Sequence, residues 1–366
     1  MPDLVGRIVS PDGIRPGRLR FAERILGIEP ADAAGADAII VPGFVDLHVH
    51  GGGGADVMRG EADVRRLARF HAGHGTTTLL PTTVTAPDED LLAAAEGVGA
   101  VMARPGPGEA DVPGMHLEGP FISPRRLGAQ PPFARPPDLA LFEALRARVP
   151  IRVATWAPEE DTDLAFLHAA TAAGCRCQIG HSDASCEHTL AALAAGAAGF
   201  THLFNAMRPF QSRDPGVAGA ALLAAKRAEV IPDLLHVAPD AIRIALRLVP
   251  GLYAVTDAME AAGSPDGLYR LGRHEVVKSG ASCRLRDGTI ASSVLTMDQA
   301  FRNLVGLGLP LEEAVRRTST IAAEHVGLAD RGRLEPGTRA DILVLDADLR
   351  LRRVFVGGEE RDVADA

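Results

Sequence analysis

The stretch "FVDLHVHGGGG", residues Phe44 to Gly54, sets polar Asp46, His48 and His50 alternately with apolar Leu47 and Val49. In a strand, residues i, i+2 and i+4 share a face, so one carboxylate and two imidazoles point the same way. Four glycines then end the strand at once. Such a run lets the chain turn away without side chains crowding whatever the histidines face. Asp46, one layer deeper, is expected to orient a histidine.

Seven further stretches repeat the theme of an apolar, β-branched run ending in polar groups. They are "TTTLLPTTV", "PGMHLEGPF", "IRVATWAPE", "CRCQIGHSD", "FTHLFNAM", "EVIPDLLHV" and "LYAVTDAM", after a first strand read as "IIVPGFVDLHVH". Helical spacing fills most gaps: Ala62–His74, Asp88–Ala103, Asp138–Arg148, Asp161–Gly174, Glu187–Ala195, Pro239–Leu248, Thr296–Leu307 and Leu311–Ala323. In "DLAFLHAATAAG" the spacing puts Leu164, Leu167, His168 and Thr171 on one face. Strand and helix alternating in this way predict an α/β (β/α)8 barrel. The polar residues strengthen that choice over an open sheet. His48, His50, Thr82, Thr83, Glu118, His181, His202, Asn205, His236 and Asp257 all fall at or just beyond predicted strand ends. Barrel active sites gather there, whereas an open sheet binds ligands at one switch point. His71, His74, His168, His188 and His325 fall on predicted helices and His274 in a hairpin, as packing or surface residues.

The ends of the chain do not continue the alternation. Residues 1–41 and 333–366 hold short strands punctuated by Pro, Gly and Asp, each set too small to bury a core alone. They are expected to build one small β domain together, around the barrel of residues 42–332. With 38 basic against 47 acidic residues, a net charge of −9 and no long basic run, nucleic-acid binding is excluded. No apolar run approaches a membrane span, and the first residues lack a signal-peptide core, so a cytoplasmic protein without a membrane partner is expected. Cys175, Cys177, Cys186 and Cys283 match no zinc-finger spacing and are expected to be reduced thiols.

A divalent metal needs three or four imidazole and carboxylate groups within a few ångströms. His48, His50, Glu118, His181 and His202 offer five from strand ends, and a carboxylate bridging two ions would account for the surplus. The motifs "PGFVDLHVHGGGGADVM", "HLEGPFISPRRLGAQ", "GHSDA", "THLFNAMRPFQSRDPGVAG", "VTDAMEAAGSPDG" and "LTMDQAFRNLV" resemble, in order, those of the N-acetylglucosamine-6-phosphate deacetylase family of the amidohydrolase superfamily. The resemblance runs from about residue 40 to 345. It implies a barrel with a small β-sandwich from both termini, a homodimer, and one or two divalent ions per chain, zinc ahead of iron. By this likeness Glu118, His181 and His202 are the principal metal ligands, and His48 and His50 serve a second ion. Asp257 is the catalytic acid/base. Asn205, Ala206, Arg213 and His236 bind substrate, the last two near the phosphate of an amino-sugar phosphate. Ala129 and residues Ala291, Ser292 and Ser293 hold it largely through backbone groups.

Two departures bear on the sugar. Leu234 and Ser292 stand where the pattern usually has glycine. They leave open a related acetamido sugar phosphate, as in an N-acetylgalactosamine-6-phosphate deacetylase; separate alternatives are another amidohydrolase acting on a cyclic amide and a scaffold without catalysis. The cyclic-amide branch commonly uses a carboxylated lysine, and no lysine stands at a predicted strand end. A scaffold typically loses metal ligands, and none is missing.

Overall fold

The computed structural model describes residues 2–10, 13–31 and 37–364. Among these, eight short strands form the barrel: Phe44–Val49, Thr76–Pro81, Met115–Glu118, Ile151–Trp156, Arg176–Ile179, Gly199–Phe200, Arg227–Val230 and Gly251–Ala254. The first pairs with the second, the third to sixth pair in order, and the seventh pairs with the eighth, all parallel. The remaining seams close just beyond the strands. Thr82 bridges to His116, the Leu203 N–H donates to the Glu229 carbonyl at 2.9 Å, and the Asp257 N–H donates to the His48 carbonyl at 2.9 Å. Closure therefore brings the polar strand ends of the sequence to one mouth.

The expected first strand is two strands. Ile39–Pro42 belongs to the terminal sheet and Phe44–Val49 to the barrel. Gly43 marks the crossing, where a Cβ would stand 2.1 Å from Thr77 Oγ1. The seven-stranded terminal sheet runs Glu359–Arg361, Leu351–Val356, Ile342–Leu345, Ile39–Pro42, Asp3–Ser10, Gly13–Phe21, Ile25–Pro30. Its core joins both ends of the chain: Phe21 meets Phe355 edge-to-face at 5.1 Å among Ile8, Leu19, Ile25, Ile40 and Ile342.

Other expectations need adjustment. The helix expected over 161–174 covers only Ala165–Ala172, because Leu164 adopts φ 56°. Phe166, Leu167 and Ala170 form its buried face, while His168 and Thr171 are exposed. The last expected helix is interrupted by a π-helical turn, Arg316–Thr320, between Leu311–Val315 and Ile321–His325. There the Arg317 guanidinium donates to the carbonyls of Pro250 (2.9 Å) and Leu252 (2.8 Å). A helix at Gly216–Ala224 was not expected, and the hairpin around His274 is part of a three-stranded sheet, Gly267–Leu271, His274–Ser279 and Ser282–Arg284. The four cysteines are free thiols. No described helix is long and apolar enough to cross a membrane.

Two histidines outside the mouth carry a pH consequence. Burial pushes His71 down to about 4, and burial with the charge of Arg227 pushes His325 down to about 3. Both stay neutral in the fold, while the unfolded chain gains protons below about pH 6.5. Stability is therefore full above that pH and falls as pH drops toward about 4. In denaturant titrations at pH 7.5 and 5.0, His325→Gln should lose less stability on acidification than the wild type; an equal loss would mean that His325 titrates as it does in the unfolded chain.

Candidate active site

His48 and His50 lie on and just past the first barrel strand, and Glu118 ends the third. His181, His202 and Asp257 each fall two or three residues beyond the fifth, sixth and eighth strands. All six are buried. His181 (φ 47°), His202 (φ 28°) and Asp257 (φ 50°) have left-handed backbones, which turn their side chains sharply off the strand axis. His50, Glu118, His181, His202 and Asp257 floor a cavity of about 270 Å³, with His48 buried beneath it; its walls include Ala129, Asn205, Ala206, His236 and Ser292.

The hydrogen bonds around the imidazoles decide what the floor can hold. His181 Nδ1 lies 2.8 Å from the Arg126 carbonyl, His50 Nδ1 3.1 Å from the Thr82 carbonyl and His48 Nδ1 3.0 Å from Glu229 Oε2. Carbonyls and an ionised carboxylate only accept, so each Nδ1 carries the hydrogen and each neutral ring presents a bare Nε2 lone pair. Those lone pairs face other acceptors. His181 Nε2 is 3.2 Å from Glu118 Oε1; His202, whose buried Nδ1 has no partner among the described residues, brings its Nε2 to 3.0 Å from the same oxygen and 3.1 Å from His181 Nε2. His50 Nε2 is 3.2 Å from both Glu118 Oε2 and Asp257 Oδ1, with His48 Nε2 3.2 Å away. Acceptors gathered this closely repel unless a positive charge sits among them. Protonation would supply it. Burial pushes His50 down, but hydrogen bonds to Asp257 and Glu118 outweigh it and lift the ring to about 9. Burial raises Asp257, and with the rings protonated the charge of His48 and the bond from His50 outweigh that and hold it at about 2. A divalent cation supplies the same charge with better directionality. Glu118, His181 and His202 form one group whose ligand atoms lie within 4.8 Å of one another, and His48, His50 and Asp257 form another. The donor set fits a divalent metal.

Glu229 is the residue that the sequence analysis missed. It is fully buried on the seventh strand. One oxygen accepts from His48 Nδ1 and from the His202 backbone N–H (3.1 Å), and the other accepts from Gln178 Nε2 at 2.7 Å. It therefore does for His48 what was expected of Asp46. Asp46 instead accepts from the Thr256 hydroxyl (2.6 Å) and from backbone N–H groups, and burial raises it to about 7. His116 does not touch Glu118. It bonds the Leu47 carbonyl and Thr155 Oγ1 and packs its ring 4.6 Å from that of His48. Gln130 donates to Glu118 Oε2. The glycine run is also corrected: Gly51 and Gly52 are buried, and a Cβ on Gly51 would stand 2.3 Å from the Ala55 carbonyl oxygen. These glycines allow close packing rather than an open entrance.

The expected substrate residues divide. Ala129, Asn205, Ala206, His236 and Ser292 line the cavity, but Ala291 and Ser293 are buried behind its wall. Arg213 is exposed on the loop before Gly216–Ala224, outside the cavity of its own chain. His236 donates from Nδ1 to Asp233 Oδ2 at 2.7 Å, while Asp233 Oδ1 accepts the His236 backbone N–H. Burial lowers His236, and Asp233 outweighs it, so its affinity for a proton is raised. Leu234 (φ 65°) and Ser292 (φ 54°) both have the backbone that glycine adopts freely, which accounts for the glycines of the pattern.

A barrel with paired histidines on its first strand and further imidazole and carboxylate groups at other strand ends defines a metal-dependent hydrolase of the amidohydrolase type. The amidohydrolase family profile matches residues 39–365, and the chain belongs to that family. Its relatives include N-acetylglucosamine-6-phosphate deacetylase of Lysinibacillus sphaericus, 37% identical over 89% of this chain and 86% of that one. N-acetylgalactosamine-6-phosphate deacetylase of Escherichia coli O157:H7 is 36% identical over 96% and 97%. Among solved structures, a mutant N-acetyl-D-glucosamine-6-phosphate deacetylase of Mycobacterium smegmatis, in complex with N-acetyl-D-glucosamine 6-phosphate, superposes with TM-score 0.89. It is 38% identical over 98% of both chains.

Removing Nε2 from the first strand should distinguish the two ligand groups. The double variant His48→Gln, His50→Asn should lose metal from the group built on these residues and keep metal at Glu118, His181 and His202. Metal content per chain, measured by elemental analysis after gel filtration, should fall; unchanged content would remove the first-strand histidines from metal binding.

Proposed function

We propose that this protein hydrolyses the acetamide of N-acetylglucosamine 6-phosphate to acetate and glucosamine 6-phosphate, a step of amino-sugar catabolism and recycling. The observation that carries the proposal is the set of acceptor atoms facing one another at the cavity floor beside the ionised Asp257. Glu118, His181 and His202 would hold one divalent ion, and His48 and His50 a second, with zinc favoured and iron compatible. When bound, such an ion lowers the pKa of water and polarises a carbonyl. Asp257, ionised at neutral pH, accepts the proton of the attacking water. It then gives that proton to the amine nitrogen as the carbon–nitrogen bond breaks and the new carbon–oxygen bond remains in acetate. Asn205, Ala206 and Ala129 bound the sugar, with Ala291 and Ser293 supporting the wall from behind.

His236, held by Asp233 and favouring its charged form, suits an anionic group at the cavity wall. This reconciles an acidic chain with an anionic substrate, because the local field governs binding. Arg213 lies outside its own cavity, so its phosphate contact belongs to a homodimer in which the loop reaches the neighbouring subunit. The C4 epimer is the second reading: the relative from Escherichia coli acts on N-acetylgalactosamine 6-phosphate at nearly the same identity. Comparing acetate release from the two sugar phosphates decides between them.

Asp257→Asn keeps size but cannot accept the proton, so kcat should fall roughly 10²–10⁴-fold while substrate binding persists. Near-normal turnover would remove Asp257 from the reaction. Arg213→Ala should lower kcat/KM for N-acetylglucosamine 6-phosphate by roughly 10–100-fold, the loss of a charge-assisted hydrogen bond. It should barely change the slower reaction of N-acetylglucosamine itself. Equal losses would mean that Arg213 does not read phosphate, and equal wild-type rates on the two sugars would overturn the sugar-phosphate assignment.

A further inference from the structure

Ser292 does something in this chain that a backbone contact to substrate does not explain. Residues 291–293 run beside the segment that follows the eighth strand: the Ser293 N–H donates to the Asp257 carbonyl at 2.8 Å, and the Met259 N–H donates to the Ser293 carbonyl at 3.0 Å. Within this tight pairing Ser292 is buried with φ 54°, a conformation that crowds any side chain except that of glycine. A serine there raises the energy of the fold and needs a compensating interaction. Its hydroxyl donates to Asp257 Oδ1 at 2.9 Å. The same oxygen faces His50 Nε2 at 3.2 Å, whereas no hydrogen bond to Oδ2 occurs among the described residues. Asp257 itself has φ 50°, so two left-handed residues stand side by side, joined through backbone and side chain.

We propose that Ser292 is a positioning residue for Asp257: its hydroxyl holds Oδ1 and fixes the rotation of the carboxylate, leaving Oδ2 as the oxygen that takes the proton from water. This rests on the proposed hydrolysis, in which Asp257 moves that proton. A carboxylate held on one edge loses less freedom when the reacting water arrives, so the hydroxyl acts on the chemical step and not on sugar affinity. Ser292 lines the cavity, and a direct contact with the sugar would instead show in KM.

Two substitutions separate the hydroxyl from the backbone conformation. Ser292→Gly removes the hydroxyl and relieves the left-handed conformation; Ser292→Ala removes the hydroxyl and keeps the crowding. In the full-length metal-loaded protein, both should lower kcat for the sugar phosphate roughly tenfold while KM stays within about twofold. Metal content should match the wild type, and Ser292→Gly should melt at or above the wild-type temperature. If Ser292→Ala fails to fold, Ser292→Gly alone carries the comparison. A raised KM with unchanged kcat, a wild-type kcat in Ser292→Gly, or metal lost in proportion to activity would each overturn the proposal. If the wild type releases no acetate from either sugar phosphate, the proposed function fails; activity in the wild type with unaltered variants sinks the role of Ser292 alone.

Discussion

Everything at the mouth of this barrel depends on how three imidazoles are held from behind. The Arg126 and Thr82 carbonyls and the Glu229 carboxylate accept the Nδ1 hydrogens of His181, His50 and His48. That fixes each tautomer and turns each Nε2 lone pair toward Glu118 or Asp257. Buried acceptors facing one another are costly, and a cation among them reverses the sign of the interaction. The capacity of this mouth to hold a cation therefore rests on the groups behind the imidazoles as much as on those that would face it.

Glu229 has the widest reach among those groups. It touches a histidine of the first strand and the backbone of the histidine beyond the sixth, and so links the two groups able to hold a metal through one buried carboxylate. Its interaction with His48 outweighs burial and holds Glu229 down to about 2, so it is an acceptor at neutral pH. Gln178 and Tyr253 satisfy its other oxygen.

The barrel also maintains backbone conformations that an isolated chain would avoid. His181, His202 and Asp257 adopt positive φ where strands give way to loops, and parallel neighbours hold them there. Leu234 and Ser292 extend the same pattern to the cavity wall. Both stand in the sequence where the family pattern usually has glycine. The structure supplies the reason, which is a left-handed backbone rather than a shortage of space for a side chain.

The sequence by itself determined the barrel, the terminal β unit and which imidazole and carboxylate groups gather at the mouth. Period-two alternation puts His48 and His50 on one face, and polar residues recurring at the ends of apolar runs are local signals. Chain-order patterns do not reveal partners across strands. Residue order therefore shows Glu229 only as one polar residue inside "EVIPDLLHV" and points to Asp46 as the partner of a histidine, whereas the fold brings Glu229 to His48. Gly216–Ala224 escaped notice because most of it is small, apolar and buried, which leaves no 3.6-residue contrast. Continuous apolarity likewise hid the break at Gly43, which is set by the approach of Thr77 from another strand. Tertiary structure alone decided which acceptor faces which imidazole, that Arg213 lies outside its own cavity, and that the Ser292 hydroxyl turns to Asp257. Each of these depends on how strands and loops distant in sequence close around one another, and local residue order does not encode that geometry.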